Sequence, residues 1–361
     1  MNDSTFWHTF PAVRGMQSGR PCYIAMCPLR LIPKIFIFDE DEVPVELRAQ
    51  RILNKARVPD IASYLVDNPR NYTLSSITSS VNGNVNFEPM SDTGPGQNMG
   101  NLSIPMDAQI LINDGQHRRA AIEEALKENP ELGHDHVSVL FFIDDGLERS
   151  QQMFADLNKH AVRPSDSIST LYDQRDQLSE LARFLVKRVD IFKRLTELEK
   201  SSISNRSTKL FTISSIKNAS KALLRKGAKM GVTDDEMEIA AQYWTEVSLH
   251  MPDWIAAQKR TVATSELREH TVHAHGVVLQ ALGLLGADLL ASQPKNWPKT
   301  LRKLTTVDWA RDNPVWEGRA MVHGRISKAR NNVTLTTNYL KTSLGIPLNN
   351  LEEQAEKVFI K

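Results

Sequence analysis

The sequence predicts an α+β protein, in which a mixed α/β domain at the N-terminus precedes a mostly α-helical, basic domain. Three observations predict it. The apolar run AQILI (108–112) meets a tight turn and then RRAAIEEALKE (118–128), a helical pattern, before a second apolar run, VSVLFFI (137–143). After Pro164, β-rich segments become scarce and amphipathic helical patterns take over. At roughly 150 residues per domain, a chain of 361 residues suggests two domains. Their expected limits are 1–170 and 171–361.

Taken in order, YIAMC (23–27) and KIFIF (34–38) read as edge or irregular strands, because prolines at 21, 28 and 33 interrupt them. Apolar residues from Val45 to Leu65 recur near helical spacing, with Pro59 at a first turn, and predict two short helices. Asn82-Gly83-Asn84 has the composition of a hairpin turn. The stretch SDTGPGQNMGN (91–101) reads as a mobile loop. ERSQQMFADLNKH (148–160) continues the β-α-β-α order, and LSELARFLVKRVDIFKRLTELEK (178–200) reads as one long helix. SSISNRSTK (201–209) is expected to link helices at the surface.

Composition narrows the function class. The chain is 41% hydrophobic and 24% charged, which supports a sizeable core and excludes a disordered tail or a fibre. No apolar run approaches the roughly 20 residues that span a bilayer, so no membrane partner and a cytoplasmic location are expected. Cys22 and Cys27 sit five apart without a second pair, which fits a reduced compartment and no structural zinc. His270, His273 and His275, near Glu266 and Glu269, lack an HExxH pattern, and no metal site is expected there either.

The net charge of +1 hides an asymmetry. Residues 1–175 hold 16 Lys and Arg against 23 Asp and Glu, whereas residues 183–230 hold 13 against 3. Such a local surplus suits a polyanion, or equally a solvated helical face. Arg183, Lys187, Arg188 and Arg194 recur at roughly helical spacing, and Lys217, Lys221, Arg225 and Lys226 follow. These are the candidate DNA-binding residues. FTISSIKNASKALLRKG (211–227) could straddle a groove with Ser214, Ser215, Asn218 and Lys221 as donors, or pack as a polar helix on Ile213, Ile216 and Leu223.

The strongest local signal is Asp114-Gly115-Gln116-His117-Arg118, a glycine at a strand-to-helix turn followed by polar side chains on the first helical turn. Free N–H groups, the positive helix end and a bidentate guanidinium would suit phosphate. The alternative is a capped helix start with Asp114 as N-cap. Asp114 and His117 are the catalytic candidates, and Gly115, Gln116, His117 and Arg118 the phosphate- or nucleotide-binding ones. Lys159, His160 and Arg163 would enlarge the same anion pocket if the sheet brings them to the turn.

This motif resembles the one that names the DGQHR-domain family. FADLNKHAVRPSDS (154–167), RVPDIASYL (57–65), DWARDNPVWEGRAM (308–321) and GRISKARNNVTLTTNYLK (324–341) extend the resemblance, nearly end to end, to the DndB family. That resemblance implies a DNA-binding repressor of DNA phosphorothioation genes, with double-stranded promoter DNA as partner and other phosphorothioation proteins as further candidates. The turn is more distantly similar to the phosphate-binding turns of ParB and sulfiredoxin, over about residues 20–165. This implies a ParB-like domain, a nucleotide as candidate ligand at the turn, and, as alternative, an enzyme acting on nucleotide or DNA phosphate (NTPase or nuclease). Gln116 stands where ParB has an acidic residue and sulfiredoxin a cysteine, so sulfiredoxin-type chemistry is not expected. A homo-oligomer is left open.

Overall fold

A computed structural model describes residues 6–36, 55–143, 152–153, 156–157, 164–204, 206–227 and 230–360. The chain divides into two compact units, Met1–Val162 and Arg163–Lys361. The division precedes the expected limit of 170. Ser165 and Ser167 bond to the carbonyls of Glu199 and Lys200, which ties helix 166–172 to the second unit.

In the first unit the described residues form a seven-stranded mixed sheet that shares one apolar core with helices. Its strands are β1 (Trp7–Gln17), β2 (Arg20–Pro28), β3 (Ile77–Asn82), β4 (Asn86–Pro89), β5 (Met99–Pro105), β6 (Gln109–Asp114) and β7 (His136–Ile143), in the order β4-β5-β1-β2-β7-β3-β6. All pairs are antiparallel except β3 with β7. Helices α1 (Ile32–Ile35), α2 (Val58–Asp67) and α3 (Gln116–Glu128) lay Leu65, Ala121 and Ile122 on Phe10, Ile77, Val139 and Phe141 of the sheet.

Several expectations change here. YIAMC lies in β2, an interior strand, not an edge. Pro21 precedes the first β2–β7 pair, Cys22 with Phe142, so its missing N–H costs no bond on that side. The described part of KIFIF, residues 34–36, is no strand, because Pro33 occupies the first turn of α1, a position that needs no amide donor. Residues 37 and 38 of that run fall outside the described residues. Asn82-Gly83-Asn84 does not make a hairpin: β3 joins β7 and β6, whereas β4 joins β5 near the other edge. Residues 91–101 do not form a loop throughout. They contain a 3-10 turn at Gly94–Asn98 and the start of β5, and the Arg14 guanidinium donates to the Gln97 carbonyl at 2.9 Å. Of the two helices expected before Leu65, the second is α2, with Pro59 in its first turn, and the first lies mostly outside the described residues.

The second unit is mostly helical. It comprises α4 (Asp166–Tyr172), α5 (Gln177–Arg188), α6 (Asp190–Leu195), α7 (Ile213–Leu223), α8 (Asp234–Leu249), α9 (Pro252–Gln258), α10 (Thr264–His270), α11 (Gly276–Ser292), α12 (Trp297–Leu301), α13 (Arg330–Leu344) and α14 (Asn350–Ile360). Helix α11 is largely apolar, with Asp288 among its few polar residues, and buries Val277, Leu282, Leu285 and Leu289 at the centre, as expected of a helix surrounded by others. Gly283 lets α7 approach: a Cβ there would stand 2.1 Å from the Ala219 carbonyl oxygen.

The expected single helix over 178–200 breaks at Val189, whose backbone is extended. Asp190 then sits in the first turn of α6, where a carboxylate favours the helix N-terminus. The bend sets the Phe192 ring 5.5 Å from Phe211 and 5.7 Å from Trp244, and Thr196–Glu197 (β8) pairs in parallel with Phe211–Thr212 (β9).

Candidate nucleic-acid interface

The turn after β6 forms because Gly115 adopts φ +114° and serves as the N-cap of α3. Asp114 therefore does not cap the helix. Its carboxylate accepts instead from Arg118, Nη2 to Oδ2 at 2.6 Å, and the same guanidinium donates to Ser75. Arg118 folds across Gly115, where a Cβ would meet Nε and Nη2 at 3.3 Å. Gln116 is buried, with its amide 3.5 Å from the Ile112 carbonyl, and His117 is half-buried. The turn is thus closed by its own ion pair, and a phosphate drawn to Arg118 must compete with Asp114. Lys159, His160 and Arg163 lie outside the described residues.

The candidate cations of the second unit separate into two sets. Lys217 pairs with Asp176, Arg225 with Asp288, and Lys226 with Glu236 at 2.7 Å. The Arg183 guanidinium donates to the carbonyls of Thr170 and Asp173, fastening the end of α4. Arg188 stands 3.8 Å from Glu238 and Arg194 4.0 Å from Asp190, both at the surface, where such pairs contribute little. Lys187 is exposed and Lys221 half-exposed. Helix α7 is packed against α5 and α11, with Ser214 and Ser215 buried and bonded to Ser167 and Thr212. That burial favours the packed polar helix over one lying in a groove. Only Lys217, Asn218, Lys221 and Ala222 of its interior turns reach the surface.

A second grouping was not legible in the sequence. Lys193 and Arg194 at the end of α6, Arg206 and Lys209 of the following loop, and Arg260 after α9 line one cleft of about 690 Å³. No carboxylate is among its described lining residues. Three backbone carbonyls of the loop, those of Ser204, Ser207 and Lys209, accept from the Arg268 guanidinium, which holds Arg206 and Lys209 in place. Four of the five fall within the 183–230 surplus, and Arg194 was a sequence candidate, but nothing in the sequence joined them to Arg260, which lies outside that window.

Of the three clustered histidines, His270 is exposed, whereas His273 and His275 serve packing. His273 is buried, its Nδ1 accepts from Trp254 Nε1 at 3.1 Å, and its Nε2–H donates to Asp253 at 2.8 Å. This bond from His273 holds the Asp253 carboxyl below its ordinary range, against the opposing effect of burial. His275 donates to the Arg268 carbonyl at 3.0 Å, and burial pushes its pKa down to about 4. Among the described residues no group of His, Cys, Asp and Glu could hold a metal ion. Burial pushes the Cys27 thiol up to about 12. No described helix is long and apolar enough to cross a membrane.

Comparison with known proteins adds one decisive match. The family model for DndB, described as DNA-sulfur modification-associated, covers residues 10–347. The chain belongs to the DndB family. This DndB-family protein is thereby associated with DNA sulfur modification, and the match runs across both compact units. No curated protein and no solved structure matches it.

Proposed function

We propose that this DndB-family protein is a DNA-binding transcriptional regulator, a repressor of the DNA phosphorothioation genes, with duplex DNA as its partner. One observation carries the reading: the second unit holds 30 Lys and Arg against 22 Asp and Glu, and its surplus is concentrated in residues 183–230. A polyanion is the natural counterpart of such a field, and in a DNA-modification family that polyanion is DNA. The DGQHR turn is a weaker candidate for the principal contact, since Asp114 already occupies Arg118.

The test is competition between the protein's own promoter fragment and random duplex of equal length at physiological salt. Specific complexes typically exceed non-specific ones by about 10³–10⁷ in affinity. The promoter should therefore win clearly. Equal competition would refute the repressor reading.

A further inference from the structure

Resting on the reading of the protein as a DNA binder, we infer that the cleft between the end of α6, the 206–209 loop and Arg260 is its phosphate-backbone anchor: a site that grips duplex DNA without reading its sequence. The cleft brings together Lys193, Arg194, Arg206, Lys209 and Arg260. Clustering five cations in one concavity costs energy through mutual repulsion, and the concave wall focuses the resulting field. An anion relieves that cost. Asp190 stands outside the lining, accepts from Gln258 at 2.6 Å and lies 4.0 Å from Arg194, a solvent-screened pair that leaves the other four cations unopposed by it.

The backbone at Arg260 supports a ligand on independent grounds. Helix α9 ends with Arg260 N–H bonding to the Ala257 carbonyl and Thr261 N–H to the Ala256 carbonyl, the Schellman pattern. The residue at its left-handed position is usually glycine, yet here it is arginine, with φ +60°. Arg225 occupies the equivalent position after α7, with φ +51°, and its pairing with Asp288 accounts for an arginine there. Arg260 has no side-chain partner among the described residues, so none of them compensates its strain. Strained backbone of this kind concentrates where a side chain must be presented to a ligand.

The other lining residues identify the ligand. Ser207, Thr208 and Ser265 offer hydroxyl or amide donors of the kind that meet phosphate oxygens, and no aromatic ring lines the cleft. Without a ring there is no platform for unstacked bases, which argues for the backbone of a duplex over a single strand. Phosphate contacts position a protein but carry no sequence information. The promoter preference must therefore come from other residues.

The test uses the full chain carrying Lys193→Gln, Arg206→Gln and Arg260→Gln, leaving Lys209 because its Nζ bonds the Arg194 carbonyl. Affinity for promoter and for random duplex is measured against salt, with inorganic phosphate as a separate arm. Both duplexes should weaken by the same factor, about 10–10³-fold, and the slope of log affinity against log salt should flatten by about 2–3. Arg260→Gly supplies a variant that cannot be dismissed as misfolded: its unfolding temperature should hold or rise, as the left-handed position prefers glycine, while duplex affinity falls. A triple variant with the parent's affinity and slope overturns the anchor while leaving the regulator reading intact. Cleft-dependent binding with no promoter preference does the reverse. Loss of promoter binding alone, or protection by inorganic phosphate without duplex binding, also overturns the anchor.

Discussion

Replacing Arg118 with alanine decides whether the DGQHR turn is a structural clasp. The Arg118 side chain is 16% exposed and that of Asp114 48%, with 2.6 Å between Nη2 and Oδ2. A sheltered hydrogen bond to a charged group contributes about 1.5–3 kcal/mol. Solvent around the half-exposed Asp114 screens the pair and reduces this to about 1–2 kcal/mol. For a domain of this size, each kcal/mol moves the unfolding temperature by about 2–4 °C. Thermal unfolding followed by circular dichroism should therefore show the N-terminal transition about 2–8 °C lower. In a cycle with Asp114→Ala, the two substitutions should couple by about 1 kcal/mol, because each removes the same bond. Duplex affinity, measured in parallel, should remain that of the parent. An unchanged transition together with lost DNA or nucleotide binding would refute this reasoning and make the turn the ligand site.

Acid should destabilise the second unit early. The folded pKa of His275, about 4, lies below its ordinary 6.5 because burial opposes the imidazolium; the bond to the Arg268 carbonyl opposes this shift, and the charges of Arg311, His273 and Arg268 add to it. The unfolded chain thus takes up the proton first, so this contribution is complete above about pH 6.5 and is lost at about 1.4 kcal/mol per unit as pH falls towards 4. Denaturant melts across that window should flatten by one proton in His275→Asn, and parallel curves for the two proteins would disprove the assignment. Gly283→Val should destabilise by more than the about 1–3 kcal/mol usual for overpacking, since the obstacle is the Ala219 backbone oxygen, and a parental melting curve would count against it. Arg319→Ala removes a two-bond pair with Glu356 and a guanidinium 4.7 Å from the centre of the Phe359 ring. Hydrogen exchange should then accelerate first in α14, and uniform exchange across the unit would contradict the role given to Arg319 in docking that helix.

Local pattern made β6, the turn at Gly115, α3 and β7 legible, because each is a short segment whose periodicity and punctuation agree. Strand β1 escaped notice because its buried Phe10 and Ala12 alternate with Thr9, Pro11 and an exposed Val13, a pattern that becomes a strand only with β2 and β5 beside it. The same limit explains the Asn82-Gly83-Asn84 turn. Its composition suits a hairpin, but β3 is claimed by β7, more than 50 residues further on, and that pairing outweighs the turn.

Charge was harder to read than periodicity, for a related reason. A count over 183–230 weighs every cation alike, yet the free energy available to an anion depends on what each cation already faces. Lys217 and Lys226 face Asp176 and Glu236, which are distant enough in sequence to leave the surplus in that window intact while neutralising these members of it. Arg260 lies outside the window and adds to the cleft because α9 delivers it beside α6. Tertiary pairing therefore fixes which cations remain open: Lys193, Arg206 and Arg260 come together in one cleft, while on α7, the helix whose sequence looked most suited to DNA, Lys217 is taken up by Asp176.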